Sequence, residues 1–267
     1  MDDFSASAPV AVGAATEILI DDGPEPRAAP FDVRVSAVIP ARNEARNLAY
    51  VFSRLPRGLH EVILVDGRST DGTPQEARRL HPDIQIVTQI GKGKGDALKA
   101  GFAACTGEVI VMLDADGSTD PREIPRFVSA LCSGADFVKG SRYAQGGGSS
   151  DLTPTRRLGN AVLCWLVNSL YGTHYTDLCY GYNAFWKRCL PYIRLDARGF
   201  EVETLINLRI ARAGLVIQEV PSYERPRLQG ASNLSAVRDG LMILRTIVLE
   251  RLRASQRRAL DAVMERR

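Results

Sequence analysis

The sequence predicts an α/β fold: a single domain on a doubly wound, Rossmann-like and mostly parallel sheet with helices on both faces. Three observations lead there. Short, predominantly apolar runs recur along the first half of the chain, as strands covered on both sides require. Amphipathic stretches of helical period separate them, the alternation that right-handed βαβ crossovers produce. A length of 267 residues, 45% of them hydrophobic and 24% charged, suits one large core better than two small ones.

Residues 1–32 are rich in Ala, Asp, Pro and Ser, show weak periodicity and read as a flexible acidic tail. From Val33 the texture changes. VRVSAVIP (33–40), EVILVD (61–66), IQIVTQ (84–89), EVIVMLD (108–114) and DFVKG (136–140) read as strands, with helices near 43–54, 71–80, 94–104 and 121–131. Asn43 reads as the N-cap of the first helix with Glu44 in its first turn, and Ser69 or Asp71 as the cap of the second. Residues 144–155 (AQGGGSSDLTPT) have the composition of a mobile loop. A helix at 156–171, a strand near 183–188, a helix at 200–213 and a strand at 215–220 follow. Trp165, Trp186 and Cys164 read as core. Leu234, Val237, Leu241, Leu244, Val248 and Leu252 then fall at helical spacing, with Arg238, Arg245, Arg251 and Arg253 among them. Residues 236–267 are thus expected to form a basic amphipathic helix. It would either pack on the domain or lie against a membrane surface, a membrane partner or a second copy of the chain.

Charge and cysteine usage narrow the class. The first 32 residues hold seven acidic groups against Arg27 alone, a net of −6, so the overall +3 leaves about +9 on the rest. A mildly basic body suits phosphorylated ligands or an anionic lipid surface. With no arginine stripe interleaved with aromatics, a nucleic-acid partner is not expected. The five cysteines are scattered without a CxxC pair and read as reduced thiols. No leader-like h-region and no run of 18 apolar residues is seen, so a cytoplasmic enzyme is expected, peripheral on the inner membrane face if the last helix binds lipid.

The residues with chemistry sit where the strands end, which is where open parallel sheets bind ligands. Asp114-Ala115-Asp116 directly follows EVIVML; at a strand end both carboxylates can converge on one hard cation, Mg²⁺ or Mn²⁺, that also bridges a diphosphate. Asp66 ends the second strand, where a carboxylate suits the imide or amino N–H groups of a base. Gly91-Lys92-Gly93-Lys94-Gly95 leads into a helix, and such a loop admits phosphate to the helix N-terminus, with a lysine adding charge. No GxGxxG, P-loop or GxSxG motif is present.

Taken in series, PARNE (40–44), VDGRSTDGT (65–73), GKGKGDAL (91–98), DAD (114–116) and GSRY (140–143) resemble the inverting glycosyltransferases of family 2, which have the GT-A fold. TDLCYGYNAF (176–185), GFEVETL (199–205) and EVPSYERPRLQGASNL (219–234) extend the resemblance to the polyprenyl- and dolichyl-phosphate hexose synthases, over roughly 33–235. The resemblance implies that Pro40, Arg42, Glu44 and Asp66 line a nucleoside pocket, that Lys94 approaches the diphosphate and that Asp114 and Asp116 hold the metal. It also implies that Arg142, Arg227 and Ser232 gather phosphates near the reacting carbon. The donor would be a GDP- or UDP-linked hexose and the acceptor a polyprenyl phosphate.

Four positions depart from the family pattern. Gly67 stands where many members carry a second Asp, Ser118 replaces a glutamine metal ligand of some relatives, Asn233 replaces the lysine of R-x-x-G-x-S-K, and no pair of C-terminal membrane helices follows. Asn233 keeps a hydroxyl acceptor open, and that chemistry would need a general base, for which Asp177, Glu201 and Glu203 are the available carboxylates. Asp177 and Glu203 are the stronger candidates, joined by Asp116 and Arg227 as catalytic residues. Tyr180 and Tyr182, in an expected loop, are candidates to touch substrate. A sugar-nucleotidyltransferase would show a G-x-G-T-R loop where PARNE stands, and a binding module without activity would have lost the aspartates or Arg227.

Overall fold

The computed structural model describes residues 31–197, 199, 201–230 and 236–264. The acidic tail lies almost wholly outside the described residues, as do Ser232 and Asn233. The chain runs β1 (Val35–Ala41), α1 (Ala45–Ser53), β2 (Glu61–Asp66), α2 (Thr73–Leu80), β3 (Gln85–Thr88), α3 (Lys94–Ala104), β4 (Val109–Met112), α4 (Ile124–Cys132) and β5 (Phe137–Ser141). It continues through β6 (Gly148–Ser149), α5 (Pro154–Tyr171), β7 (Asn183–Trp186), α6 (Glu201–Arg212), β8 (Ile217–Pro221), β9 (Tyr223–Glu224) and α7 (Ala236–Met264).

Seven strands form one sheet in the order β3-β2-β1-β4-β7-β5-β8. All are parallel except β7, which is inserted antiparallel between β4 and β5. Alternate strand residues feed two cores. Ala37, Ile39, Val62 and Leu64 meet α1, α2 and α4 on one face, while Val38, Ile63, Val65 and Ile110 meet α3 and α6 on the other. Gly101 sets how closely α3 lies on the sheet, because a Cβ there would come to 2.5 Å from Val38 Cγ1 and 2.8 Å from Val65 Cγ2. Pro40 sits beyond the β1–β4 register, which ends at Val38↔Met112, so its missing N–H costs the ladder nothing there.

The structure differs from the sequence reading at several local points. Asn43 is not a cap: it takes a left-handed φ of 59°, which asparagine tolerates, and its Oδ1 accepts from Thr70 N at 2.8 Å. The N-terminus of α1 is satisfied from the next loop instead, by Ala45 N donating to Asp71 Oδ2 at 3.0 Å and Glu44 N to Thr73 Oγ1 at 2.9 Å. The stretch 144–155 is no free loop; β6 pairs with β9, and Ser150 N donates to Glu224 O at 3.1 Å. Trp165 is 69% exposed, on the opposite side of α5 from Leu163, Cys164 and Val167. Cys164 is buried and Trp186 half-buried against the core.

The terminal helix forms, but its packed face is not the expected leucine stripe. Ile243, Ile247 and Glu250 are buried, and Glu250 receives Arg209 at 2.9 Å and Arg212 at 3.2 Å from α6. Leu241, Leu244, Val248 and Leu252 stay exposed, Leu234 lies outside the described residues, and no side chain is described for Val237. The buried acid anchors one side of α7 to α6 and turns the apolar stripe outward. Among the described residues no helix is long and apolar enough to cross a membrane, and the five cysteines are free.

Asp71 ties two helix starts together, so Asp71→Ala is expected to cost about 1–2 kcal/mol in urea unfolding at neutral pH. Burial opposes ionisation of Asp71, but hydrogen bonds from Thr73 and Ala45 outweigh it and hold its carboxyl below the ordinary range. The stability it contributes is therefore present above the unfolded carboxylate pKa and lost as pH falls through the depressed folded value. Wild type and variant should converge in acid; a gap that persists there would contradict the assignment.

Candidate active site

The carboxyl ends of β1, β2 and β4, the head of α3 and the first turn of α6 open into one cavity of about 920 Å³. Pro40, Arg42 and Glu44 line it from the end of β1, and Lys94 from α3. Asp114 and Asp116 line it after β4, and Arg142, Glu203 and Arg227 from the second half. The structure thus gathers most of the residues singled out from sequence, although they are spread over nearly 190 positions.

Asp114 and Asp116 flank Ala115, which is 2% exposed and anchors the turn in the core, so both acids face the cavity. Gly117 follows with φ 79°, and Asp116 Oδ1 accepts from Ser118 N at 3.0 Å. Lys94, the first residue of α3, places its ammonium 2.5 Å from both Asp114 Oδ1 and Glu203 Oε1. Burial works against that charge, but the two carboxylates outweigh it and hold the lysine above its ordinary pKa. Burial pushes the Glu203 carboxyl upward while Lys94 opposes it. A Cβ at Gly181 would strike Glu203 Oε1 and lie 2.9 Å from Lys94 Nζ, so a side chain there would displace this pair.

Arg227 bridges Glu44 and Asp116, reaching Asp116 Oδ2 at 3.4 Å. Burial raises the Glu44 carboxyl, against the hydrogen bond from Asn47 and the charge of Arg227. The loop behind Arg227 is held by Leu228 N donating to Asp116 O at 3.2 Å.

Two expected residues sit otherwise. Asp66 is buried beneath the cavity, its Oδ1 accepting from Ser69 N at 3.1 Å, and Gly67 rather than Asp66 lines the wall. Asp177 is wholly buried and also does not line the cavity. Its two oxygens take Arg142 Nε at 2.6 Å and Nη2 at 2.9 Å, and Glu224 takes Nη1 at 3.0 Å. In this bidentate pair the acid fixes the arginine and has no position from which to receive a proton from a substrate. Tyr182 is fully buried with its hydroxyl on Asp120 O, whereas Tyr180 touches the cavity wall. Glu224 and the buried Lys139, whose ammonium holds Tyr180 O at 2.7 Å, escaped the sequence reading. Nothing in their local pattern signals that the β5–β7 pairing sets Lys139 beneath Tyr180 O, or that the β6–β9 pairing sets Glu224 beside Arg142. Ser232 lies outside the described residues.

The donor set around Asp114 and Asp116 consists of oxygens alone and suits a hard divalent cation. Among the described residues no three His, Cys, Asp or Glu side chains are placed to hold a metal by themselves. Two carboxylates fit an ion that takes its remaining ligands from water and substrate phosphate, as Mg²⁺ commonly does.

Residues 36–190 match the family model for glycosyl transferase family 2. The chain is 34% identical over 220 residues to the undecaprenyl-phosphate mannosyltransferase of Micrococcus luteus, covering 76% of this chain and 88% of that protein. It is 34% identical over 219 residues to the polyprenol monophosphomannose synthase of Mycolicibacterium smegmatis, covering 76% and 81%. Its fold matches glucosyl-3-phosphoglycerate synthase of Mycobacterium tuberculosis, solved with Mn²⁺, UDP and glucosyl-3-phosphoglycerate. That match has a TM-score of 0.65 at 23% identity, over 82% of this chain and 80% of that one. The chain belongs to glycosyl transferase family 2 and is a glycosyltransferase with the GT-A fold.

Removing the Asp177 carboxylate takes from a buried arginine two of its three side-chain bonds and leaves Glu224 as its one counter-charge. Asp177→Ala is expected to lose roughly 3–5 kcal/mol in chemical denaturation, and Arg142→Met/Asp177→Leu to recover much of it. An Asp177→Ala protein as stable as wild type would refute the pairing.

Proposed function

We propose that the chain transfers a hexose, with inversion, from a GDP- or UDP-linked donor to a polyprenyl phosphate in a metal-dependent reaction. The observation that carries this reading is the meeting in one cavity of two strand-end aspartates and five basic side chains, Arg42, Lys94, Arg142, Arg156 and Arg227. Relatives named as polyprenyl-phosphate mannosyltransferases support it. Asp114 and Asp116 would hold Mg²⁺ or Mn²⁺, which when bound neutralises charge on the departing diphosphate. Pro40, Arg42 and Glu44 would line the nucleoside side of the pocket, above the buried Asp66.

Lys94, charged between its two acids, is set to turn toward the donor phosphates at the α3 N-terminus. Arg227, shared between Glu44 and Asp116, stands on the border of donor and acceptor. Arg142 spends three N–H groups on Asp177 and Glu224, which leaves two of a guanidinium's five for a ligand. A phosphate acceptor is already anionic, so it needs positioning and charge neutralisation rather than a base. That agrees with a site where Asp177 is enclosed and Glu203 faces an ammonium. Asn233 favours a second reading, transfer to a hydroxyl, in which Glu203 would be the base. Attachment would be peripheral, through α7.

The test is release of nucleoside diphosphate from a panel of UDP- and GDP-hexoses with Mn²⁺ or Mg²⁺, with and without polyprenyl phosphate. Release is expected to require both lipid phosphate and metal, and Asp116→Ala to lower it by about 10²-fold or more. Donor turnover that lipid phosphate leaves unchanged would reject the lipid acceptor in favour of a hydroxyl.

A further inference from the structure

Most of the positive charge that lines the cavity is already engaged by acids. Lys94 holds Asp114 and Glu203, Arg142 holds Asp177 and Glu224, Arg156 holds Asp151, and Arg227 holds Glu44 and Asp116. One cation behind the wall is different. Lys139, in the middle of β5, is fully buried and has no ion-pair partner among the described residues. Its ammonium donates to Tyr180 O at 2.7 Å and stands 3.5 Å from Asn183 Oδ1.

Stability gives no reason for a lysine here. Lys139 shares a face of β5 with Phe137, whose ring belongs to the core formed with α3 and α6. An apolar side chain would suit that position, and a buried ammonium without a carboxylate is costly. A local conflict of this kind points to function rather than packing.

The surroundings of Tyr180 show which function. The Tyr180–Gly181 peptide has the Lys139 ammonium on its carbonyl, and Gly181 lies against the Lys94–Glu203 pair. The Tyr180 ring centre is 5.0 Å from the Arg142 guanidinium, so the same segment supports both halves of the site. Glu203 therefore has Lys94 in direct contact and Lys139 across one peptide unit. Burial raises its carboxyl, and the charges of Lys94 and, more weakly, Lys139 oppose this. If Lys94 turns to a donor diphosphate, Glu203, only 6% exposed, loses its nearest cation.

We propose that Lys139 is a positioning residue of the donor site: it remains behind Glu203 as a counter-charge and so lets Lys94 leave for the diphosphate. This rests on the nucleotide-donor reading above and adds what frees the lysine that meets the donor.

Lys139→Met removes the charge and keeps an unbranched side chain. Urea unfolding is expected to show the variant at least as stable as wild type. Calorimetry with UDP or GDP and Mn²⁺ should show diphosphate affinity lowered roughly tenfold, because Lys94 is now held back by Glu203. In a Glu203→Gln background the same substitution should change affinity by no more than about twofold, since no acid is left to be held. A folded Lys139→Met protein that binds diphosphate as tightly as wild type would overturn the proposal. So would a loss of the same size in both backgrounds, which would make Lys139 a scaffold for the Tyr180 segment. A wild type that binds neither UDP nor GDP would overturn the nucleotide-donor reading and this role with it.

Discussion

The ammonium of Lys94 lies 2.5 Å from carboxylates supplied by two distant parts of the chain, Asp114 after β4 and Glu203 on α6. Three negative or positive groups in a largely buried space tolerate one another only as a set, since an isolated charge there is costly. The set has structural preconditions. Gly101 must let α3 settle onto β1 and β2 so that its first residue reaches the end of β4, and Gly181 must leave room for the pair. Through this contact the nucleotide side of the sheet is joined to the half that carries Arg142 and Arg227. Arg227 closes a second link of the same kind over Glu44 and Asp116.

The parallel framework was legible because the central strands β1, β2 and β4 are apolar on both faces and the connections are amphipathic, both local properties. The strand-end residues were legible for the same reason: once β1, β2 and β4 are placed, Glu44 and Asp114 have few other places to go. What local pattern could not show was pairing. Ala-Gln-Gly-Gly-Gly-Ser-Ser reads as loose until Glu224, 75 positions away, is seen to hold Ser149. Asp177 looks like an available carboxylate until the β5 end brings Arg142 onto it. The leucines of α7 look like a packing stripe until Glu250 proves to be the buried contact, an acid whose burial depends on two arginines of α6.

Two kinds of glycine serve this molecule. At Gly101 and Gly181 the absent side chain permits close approach, and any substitution displaces a neighbour. At Gly159 and Gly240 nothing approaches, and the absent side chain leaves space. Sequence alone does not distinguish the two, because both appear as helix or loop glycines flanked by ordinary residues.

The antiparallel strand β7 also shapes how the chain acquires its structure. β3, β2, β1 and β4 come from a continuous stretch and can assemble with short crossovers. The partner that covers β4, however, is β7 at Asn183–Trp186, not β5, the next sheet strand in sequence. During synthesis the open side of β4 must therefore wait while some 70 further residues emerge, holding an apolar, unpaired strand edge in the meantime. The central seam of the catalytic sheet is thus a late, long-range closure, and it makes the nascent first half the stage at which this enzyme is most exposed to association with other chains.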